Sequence, residues 1–193
     1  MRLLFISAIV VITDQISKLL VKGIPAINLT GLFPGERIPV VGNIIDITMV
    51  ENPGIAFGIN FGSEFKLAIS IFTLIACIGL LILMFRIRKK SFGLRFSIAL
   101  ILGGAIGNLI DRLFYGMIYG YAPLFHGKVV DFFNVHFFNI YLFNNTLGNY
   151  IFNIADLSVT AGIICLFFAI RKQNREQNSH EPVIENLLLK GKE

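Results

Sequence analysis

The stretch Leu67–Phe85 contains no charged side chain, and as a helix it is long enough to cross a hydrocarbon core of about 30 Å. Nothing else in the chain restricts its possible folds as sharply. A soluble protein of 193 residues has too little interior to hide such a segment when 55% of its residues are hydrophobic and only 15% are charged. Lipid accepts apolar side chains on the outside of every helix. The mean hydropathy of +0.74 therefore points to an all-α membrane domain over residues 1–170, followed by a polar tail over 171–193.

Three further spans fit this reading: Leu3–Leu20, about Phe96–Phe114, and Ile151–Ile170. The third carries Gly103, Gly104, Ala105 and Gly107, small residues that let helices approach closely. Arg2 followed by the apolar run Leu3–Ile12 is also the opening of a cleavable signal peptide, but Asp14, Gln15 and Lys18 interrupt the run and no small-x-small cleavage site follows. The first span is expected to stay as a helix.

The formal charge of +5 does not point to nucleic acid, and no such partner is expected, because basic residues in membrane proteins hold the cytoplasmic loops in place. Arg86, Arg88, Lys89, Lys90 and Arg95 separate spans two and three, and Arg171, Lys172 and Arg175 follow span four. Both termini are accordingly expected in the cytoplasm. The opposite segments hold only Lys22, Arg37, Lys66 and Lys128. In the first of them Asn43–Glu51 alternates in the manner of a strand, and Gly31, Pro34, Gly35, Pro39 and Gly42 punctuate the approach to it. A small sheet is expected on the outer membrane surface. The second segment is rich in Phe and Tyr, as suits an interface, with no defined conformation. Cys77 and Cys165 lie inside apolar runs and are read as small hydrophobes.

An ionisable side chain inside a span is costly to insert, so each is a packing lock or part of a site. Asp14 and Lys18 are four apart on span one, where a neutralising ion pair is the simpler reading and catalysis the alternative. Asn108, Asp111 and Arg112 share a face of span three, and Asn153, Asp156 and Thr160 a face of span four. With Asn52 and Asp131 in the flanking segments, these clusters converge on one leaflet. Anchoring charges need no such agreement.

The available chemistry is narrow. His126, His136 and His180 have no zinc-binding spacing, no G-x-S-x-G run exists, and no histidine lies in a span. No metal and no cofactor are expected. A pair of carboxylates remains, one ionised and one protonated, able to activate water against an amide. Asp131 and Asp156 suit this role, the first where the chain re-enters the membrane and the second just inside span four. The competing reading pairs each with Arg112 or Lys18.

Five stretches, in order, resemble the bacterial lipoprotein signal peptidase (signal peptidase II) family. They are Asp14-Gln15 with Lys18; Asn52-Pro53-Gly54-Ile55-Ala56-Phe57; Gly104 to Arg112 with its G-N-x-x-D-R pattern; Val129-Val130-Asp131-Phe132; and Phe152-Asn153-Ile154-Ala155-Asp156. The resemblance implies four transmembrane helices, a small extracytoplasmic sheet and a loop or short helix over the active site. It also implies an aspartyl endopeptidase of the bacterial inner membrane, with Asp131 and Asp156 catalytic, acting on diacylglyceryl-modified prolipoproteins and cutting before the lipidated cysteine. Asn52, Gly54, Asn108, Arg112 and Asn153 would line the groove, with Asp14, Lys18, Asp111 and Ala155 in support. For Asn52 a turn-stabilising role before Pro53-Gly54 is an equal alternative. Membrane lipids and the precursor are the expected partners, and a monomer is the expected state.

Two departures from the family pattern stand out: Leu157 replaces an expected serine, and the stretch between Arg112 and Asp131 is long, with Tyr119–Lys128 a candidate extra loop over the site. One alternative is a small transporter or proton channel using Asp14, Asp111, Asp131 and Asp156 as a relay. Another, more distant, is a presenilin-like protease, whose Tyr-Asp and Gly-x-Gly-Asp strings the chain lacks.

Overall fold

A computed structural model describes residues 3–42, 44–54, 62–142 and 145–190. Four of its helices are long and apolar enough to cross a membrane: α1 (Leu4–Lys22), α2 (Gly62–Arg86), α3 (Phe92–Ile110) and α5 (Ile154–Lys190). Helix α3 is prolonged by a wider π turn over Asp111–Tyr115 and the short α4 (Gly116–Ile118). Two antiparallel sheets accompany the bundle. The smaller pairs β1 (Gly23–Ile24) with β2 (Leu29–Thr30), and the larger runs in the order β3 (Arg37–Val41), β4 (Ile45–Asn52), β5 (Val129–Leu142), β6 (Asn145–Phe152).

Helix α3 packs against each of the other long helices, and its small residues are what bring the neighbours close. A Cβ on Gly103 would stand 2.8 Å from Val10 Cβ on α1, and one on Gly104 would strike the Ala155 carbonyl oxygen and stand 2.7 Å from Val159 on α5. Polar groups add cross-links where backbones approach: Ser7 Oγ donates to the Ala99 carbonyl at 2.7 Å, and Ser158 Oγ to the Leu100 carbonyl at 3.0 Å. Large apolar side chains such as Phe72, Ile75, Ile78, Phe167 and Phe168 face outward, the arrangement a lipid surround demands.

One end of the bundle is apolar inside and basic outside. Leu3 at the cap of α1 and Leu4 and Ile6 within it cluster with Met84, Ile98 and Ala99, while Ser91, Phe92 and Gly93 border a common hollow with Ala169, Lys172 and Gln173. The start of α1, the basic α2–α3 turn and Lys172 therefore share this end. The acids and amides lie towards the other end, beside the larger sheet.

The structure sharpens several expectations. Ile151 and Phe152 belong to β6, paired with Asn134 and Phe133, so the fourth long helix begins at Ile154 instead of Ile151. Two β-branched or aromatic residues continuing a ladder are better placed there than in an uncapped turn. The second outer segment, left without a conformation, supplies the β5–β6 hairpin. Residues 172–190 prolong α5. The alternating strand is β4, and its polar side is the buried one: Asp46 Oδ2 meets His136 Nε2 at 2.7 Å, and Thr48 Oγ1 donates to the Glu36 carbonyl at 2.8 Å. Cys77 is buried and Cys165 half-buried, and both are free.

The glycine contacts make a direct prediction. Gly104→Val should cost about 1–3 kcal/mol through forced separation of α3 and α5, read as a lowered melting temperature of the detergent-solubilised protein, whereas Gly79→Ala, inside α2 with open space around it, should not lower it.

Candidate functional site

The site is built from the end of α1, the end of α3, the start of α5 and the facing strands β4 and β5. Lys18, Asp14 and Asp111 have no solvent exposure in their side chains. Lys18 Nζ lies 2.8 Å from Asp14 Oδ2 and 2.7 Å from Asp111 Oδ2, and it donates to Asn108 Oδ1 at 2.9 Å. The expected Asp14–Lys18 ion pair is thus present, but it is half of a shared arrangement. A buried ammonium needs all its protons engaged, and two carboxylates and one amide engage them.

The same acids reach further. Asp14 Oδ1 accepts from the Ala155 amide at 2.9 Å, at the start of α5, where exposed N–H groups favour an anion. Ala155 is fully buried, and both its small side chain and Gly107 make room for Asp14: a Cβ on Gly107 would stand 2.6 Å from Asp14 Oδ2. Asp111 Oδ1 accepts from Gln15 Nε2 at 2.9 Å, and Asp111 Oδ2 from the Val130 amide at 3.2 Å. Gln15 also donates to the Gly107 carbonyl and accepts from Tyr115 at 3.2 Å. The backbone beside Asp131 is therefore tied to helix α3.

Asp131 and Asp156 sit on the other side of this cluster, joined by amides. Asn153 Nδ2 donates to Asp131 Oδ1 at 2.7 Å and to Asn108 Oδ1 at 3.1 Å, and Asn108 Nδ2 donates to Asp156 Oδ1 at 2.7 Å. Asn52 Nδ2 donates to Asp131 Oδ2 at 3.0 Å. Asn153 also caps α5 reciprocally with Asp156: its Oδ1 accepts from the Asp156 amide at 2.9 Å, while Asp156 Oδ2 accepts from the Asn153 amide at 3.4 Å. The capping box explains why an asparagine and an aspartate open this helix, and it aims the leftover Asn153 amide protons at Asp131.

Among the described residues, neither Asp131 nor Asp156 has a cation within ion-pair distance. Lys18 is taken by Asp14 and Asp111. Arg112 forms no ion pair there either, and the acids that act on it electrostatically are Asp111, Asp131 and Asp156. Asp131 is buried, and its carboxyl is pushed up to about 7, first by burial and then by the nearby Asp156 charge, against the pull of the Asn52 and Asn153 hydrogen bonds. A carboxyl in that range holds or releases a proton near neutrality.

Of the expected site residues, the structure brings Asn52, Asn108, Asp131, Asn153 and Asp156 into one hydrogen-bonded set, with Asp14, Lys18, Asp111 and Ala155 behind it. Gly54 has its amide on Asn52 Oδ1 at 2.9 Å and a φ of 88°, which favours glycine. Asn52 thus fills both readings offered for it, holding the turn with its oxygen and Asp131 with its nitrogen. Ile55, Ala56 and Phe57 lie outside the described residues. Thr160 is exposed and does not join the set, and Leu157 is 55% exposed. The Tyr119–Lys128 loop, expected over the site, packs on the π turn, on Ser70 of α2 and on Glu51. Sequence reasoning left Gln15, Tyr115 and Glu51 without a role, since their partners lie far off along the chain. Among the described residues no group of His, Cys, Asp and Glu could hold a metal ion.

Fold and site together define a multi-pass membrane protein with two amide-linked carboxylates that have no cation within ion-pair distance among the described residues. The family model described as signal peptidase (SPase) II matches residues 6–172. A lipoprotein signal peptidase of Moorella thermoacetica is 31% identical over 92% of this chain and 97% of its own length, and one of Caulobacter vibrioides is 35% identical over 91% of this chain and 90% of its own. A solved structure described as a bacterial membrane enzyme shares the fold with a TM-score of 0.61 at 29% identity, covering 90% of this chain and 89% of the other. The chain belongs to the signal peptidase II family and is a peptidase.

The buried cation gives a sharp test. Lys18→Met should cost about 3–5 kcal/mol by leaving two enclosed carboxylates unneutralised; adding Asp14→Asn and Asp111→Asn should restore much of the loss, as measured by chemical unfolding in detergent.

Proposed function

We propose that this protein is an intramembrane aspartyl endopeptidase that removes the signal peptide from diacylglyceryl-modified prolipoproteins, cutting before the lipidated cysteine. Membership of the signal peptidase II family supports the substrate class. The observation that carries the chemistry is the contrast between the two sets of acids: Asp14 and Asp111 share a buried lysine, while Asp131 and Asp156 are held by neutral amides. Paired carboxylates without a cation share a proton, the state that hydrolysis of an amide requires.

A water held between the two acids gives up a proton to the ionised carboxylate as its oxygen attacks the scissile carbonyl carbon. The protonated carboxyl hydrogen-bonds the carbonyl oxygen and donates its proton as charge develops there. The tetrahedral intermediate then collapses, and a proton passes to the departing amine of the cysteine. Asp131, raised towards neutrality, carries the proton at the start. Asp156, at the open side of the pair and bound through Asn108, acts as the base.

Asn52, Gly54, Asn108, Arg112 and Asn153 line the substrate groove in this reading, because an extended peptide within lipid must have its amides paired. Arg112, without an ion pair among the described residues, is the cation available to a substrate carbonyl. The acidic end of the bundle faces outward from the inner membrane. The basic α2–α3 turn and both termini face the cytoplasm, in keeping with the basic residues at that end. The relay alternative gains no support from the relatives, and the four acids that it would use, Asp14, Asp111, Asp131 and Asp156, gather at one end of the bundle instead of being spaced along it.

Asp131→Asn and Asp156→Asn should each abolish cleavage of a lipidated precursor while leaving the protein folded in detergent; mass spectrometry should find the wild-type cut immediately before the modified cysteine, and none in an unlipidated precursor. Activity should fall as pH rises through about 7, where Asp131 loses its proton and with it the general acid. A kcat that instead rises across that range would reverse the assignment of the acid.

A further inference from the structure

We infer that Glu51 is a positioning residue for the peptidase reaction, acting with Lys22 and Lys128 to hold the end of β4 in the register that lets Asn52 meet Asp131. The inference rests on the role proposed for Asp131.

The register at this point is not secured by the rest of the sheet. Ile45, Asp46 and Ile47 pair with Val135, Asn134 and Phe133, a bulge follows, and Val50, Glu51 and Asn52 then pair with Asp131, Val130 and Val129. Three pairs beyond a bulge form a short ladder of their own. A slip of one residue there would turn Asn52 to the opposite face, away from Asp131. The Asn52 amide is already oriented, since its oxygen accepts from the Gly54 amide, so the remaining freedom is in the backbone.

Glu51 points to the other face of β4 and divides its carboxylate between two lysines. Lys22 Nζ donates to Oε1, and Lys128 Nζ to Oε2 at 2.8 Å. The lysines come from opposite sides, one from the last turn of α1 and the other from the residue before β5. Lys22 is 6% exposed, and its ammonium lies 4.0 Å from the Tyr119 ring centre, 5.0 Å from Tyr121 and 5.8 Å from Tyr115. An exposed ion pair would fix little, but a lysine enclosed by three rings offers its partner one position. Burial pushes the Glu51 carboxyl up, and the bonds from Lys128 and Lys22 outweigh this and hold it below the usual range, so it is ionised at neutral pH.

The rings are themselves anchored. Tyr119 donates to the Gly23 carbonyl at 2.7 Å, and Tyr121 accepts from the Lys128 amide at 2.9 Å. The loop that follows Tyr121 is bound to the π turn: the Gly127 amide donates to the Arg112 carbonyl at 2.9 Å and the Phe125 amide to the Leu113 carbonyl at 3.3 Å. Gly127 has to be small here, because a Cβ would strike the Asp111 carbonyl oxygen. The long stretch between Arg112 and Asp131 is thus a strap from the turn bearing Arg112 to the strand bearing Asn52.

The test is a double-mutant cycle with a lipidated precursor, measuring kcat, KM and the alkaline limb of the pH profile. Glu51→Ala should lower kcat about tenfold, of the order of one weakened hydrogen bond, with a smaller change in KM and a smaller loss in Glu51→Gln. In an Asn52→Ala background, Glu51→Ala should have little further effect, and its alkaline limb should move upward as it does in Asn52→Ala. If Glu51→Ala proves unfolded by thermal melting, Lys128→Ala at the more exposed end of the pair replaces it in the cycle, with the same non-additivity expected. Independent, multiplying losses, or an unchanged kcat and pH profile in Glu51→Ala, overturn the assignment while the peptidase reading stands. A wild-type protein that leaves the precursor uncut overturns that reading, and this one with it.

Discussion

One enclosed ammonium group organises this protein. Lys18 has no contact with solvent, so its protons must all be met inside the bundle, and Asp14, Asp111 and Asn108 meet them. Each partner then passes a connection outward: Asp14 to the Ala155 amide at the start of α5, Asp111 to Gln15 and to Val130 on β5, and Asn108 to Asp156. A single charge placed four-fifths of the way along α1 thereby sets the positions of α3, α5 and the central strand. Because the cation is fully used by two acids, the other two acids are left to neutral donors. The division between supporting and reacting carboxylates follows from where that lysine goes.

The neutral donors are asparagines for a physical reason. An amide carries donors and an acceptor on one rigid group, so it can relay orientation without bringing charge. Asn108 accepts from Lys18 and Asn153 and donates to Asp156, whereas Asn153 accepts from the Asp156 amide and donates to Asp131. A charged acceptor in either place would repel the acids, and the single proton of a hydroxyl could not serve both acceptors that Asn153 Nδ2 reaches on Asn108 and Asp131. Helix capping and acid positioning are thus performed by the same side chain, and loss of either function would disturb the other.

Much of this could be read before the structure was known. Apolar runs long enough for a bilayer mark the helices, because lipid penalises every charged exception, and the few exceptions within them point to the site. The spacing of Asn108, Asp111 and Arg112, and of Asn153 and Asp156, placed them on common faces. Periodicity could not show that Lys18 would bridge two acids, since Asp111 reaches it only through the close approach allowed by Gly103 and Gly107. The hairpin β5–β6 is hidden in the sequence because its aromatic residues suit an interface as well as a strand, and the apolar pattern alone therefore carries the fourth helix three residues too far back, to Ile151. The partners of Gln15, Tyr115 and Glu51 were invisible for a different reason: each is joined across most of the fold, where local pattern carries no information.

The wider turn at Asp111–Tyr115 has a consequence for how such a chain can change over time. A π turn holds one residue more than the α-helical turn it replaces, and each residue of an α-helix advances by about 100°. Removing any one residue from this segment would restore a regular helix and swing everything beyond it by roughly that angle. Tyr115 would leave Gln15, and the carbonyls that receive Phe125 and Gly127 would close onto their own helix. The helix would become more regular and the strap would lose its moorings, so the length of this stretch is fixed by contacts that lie outside it.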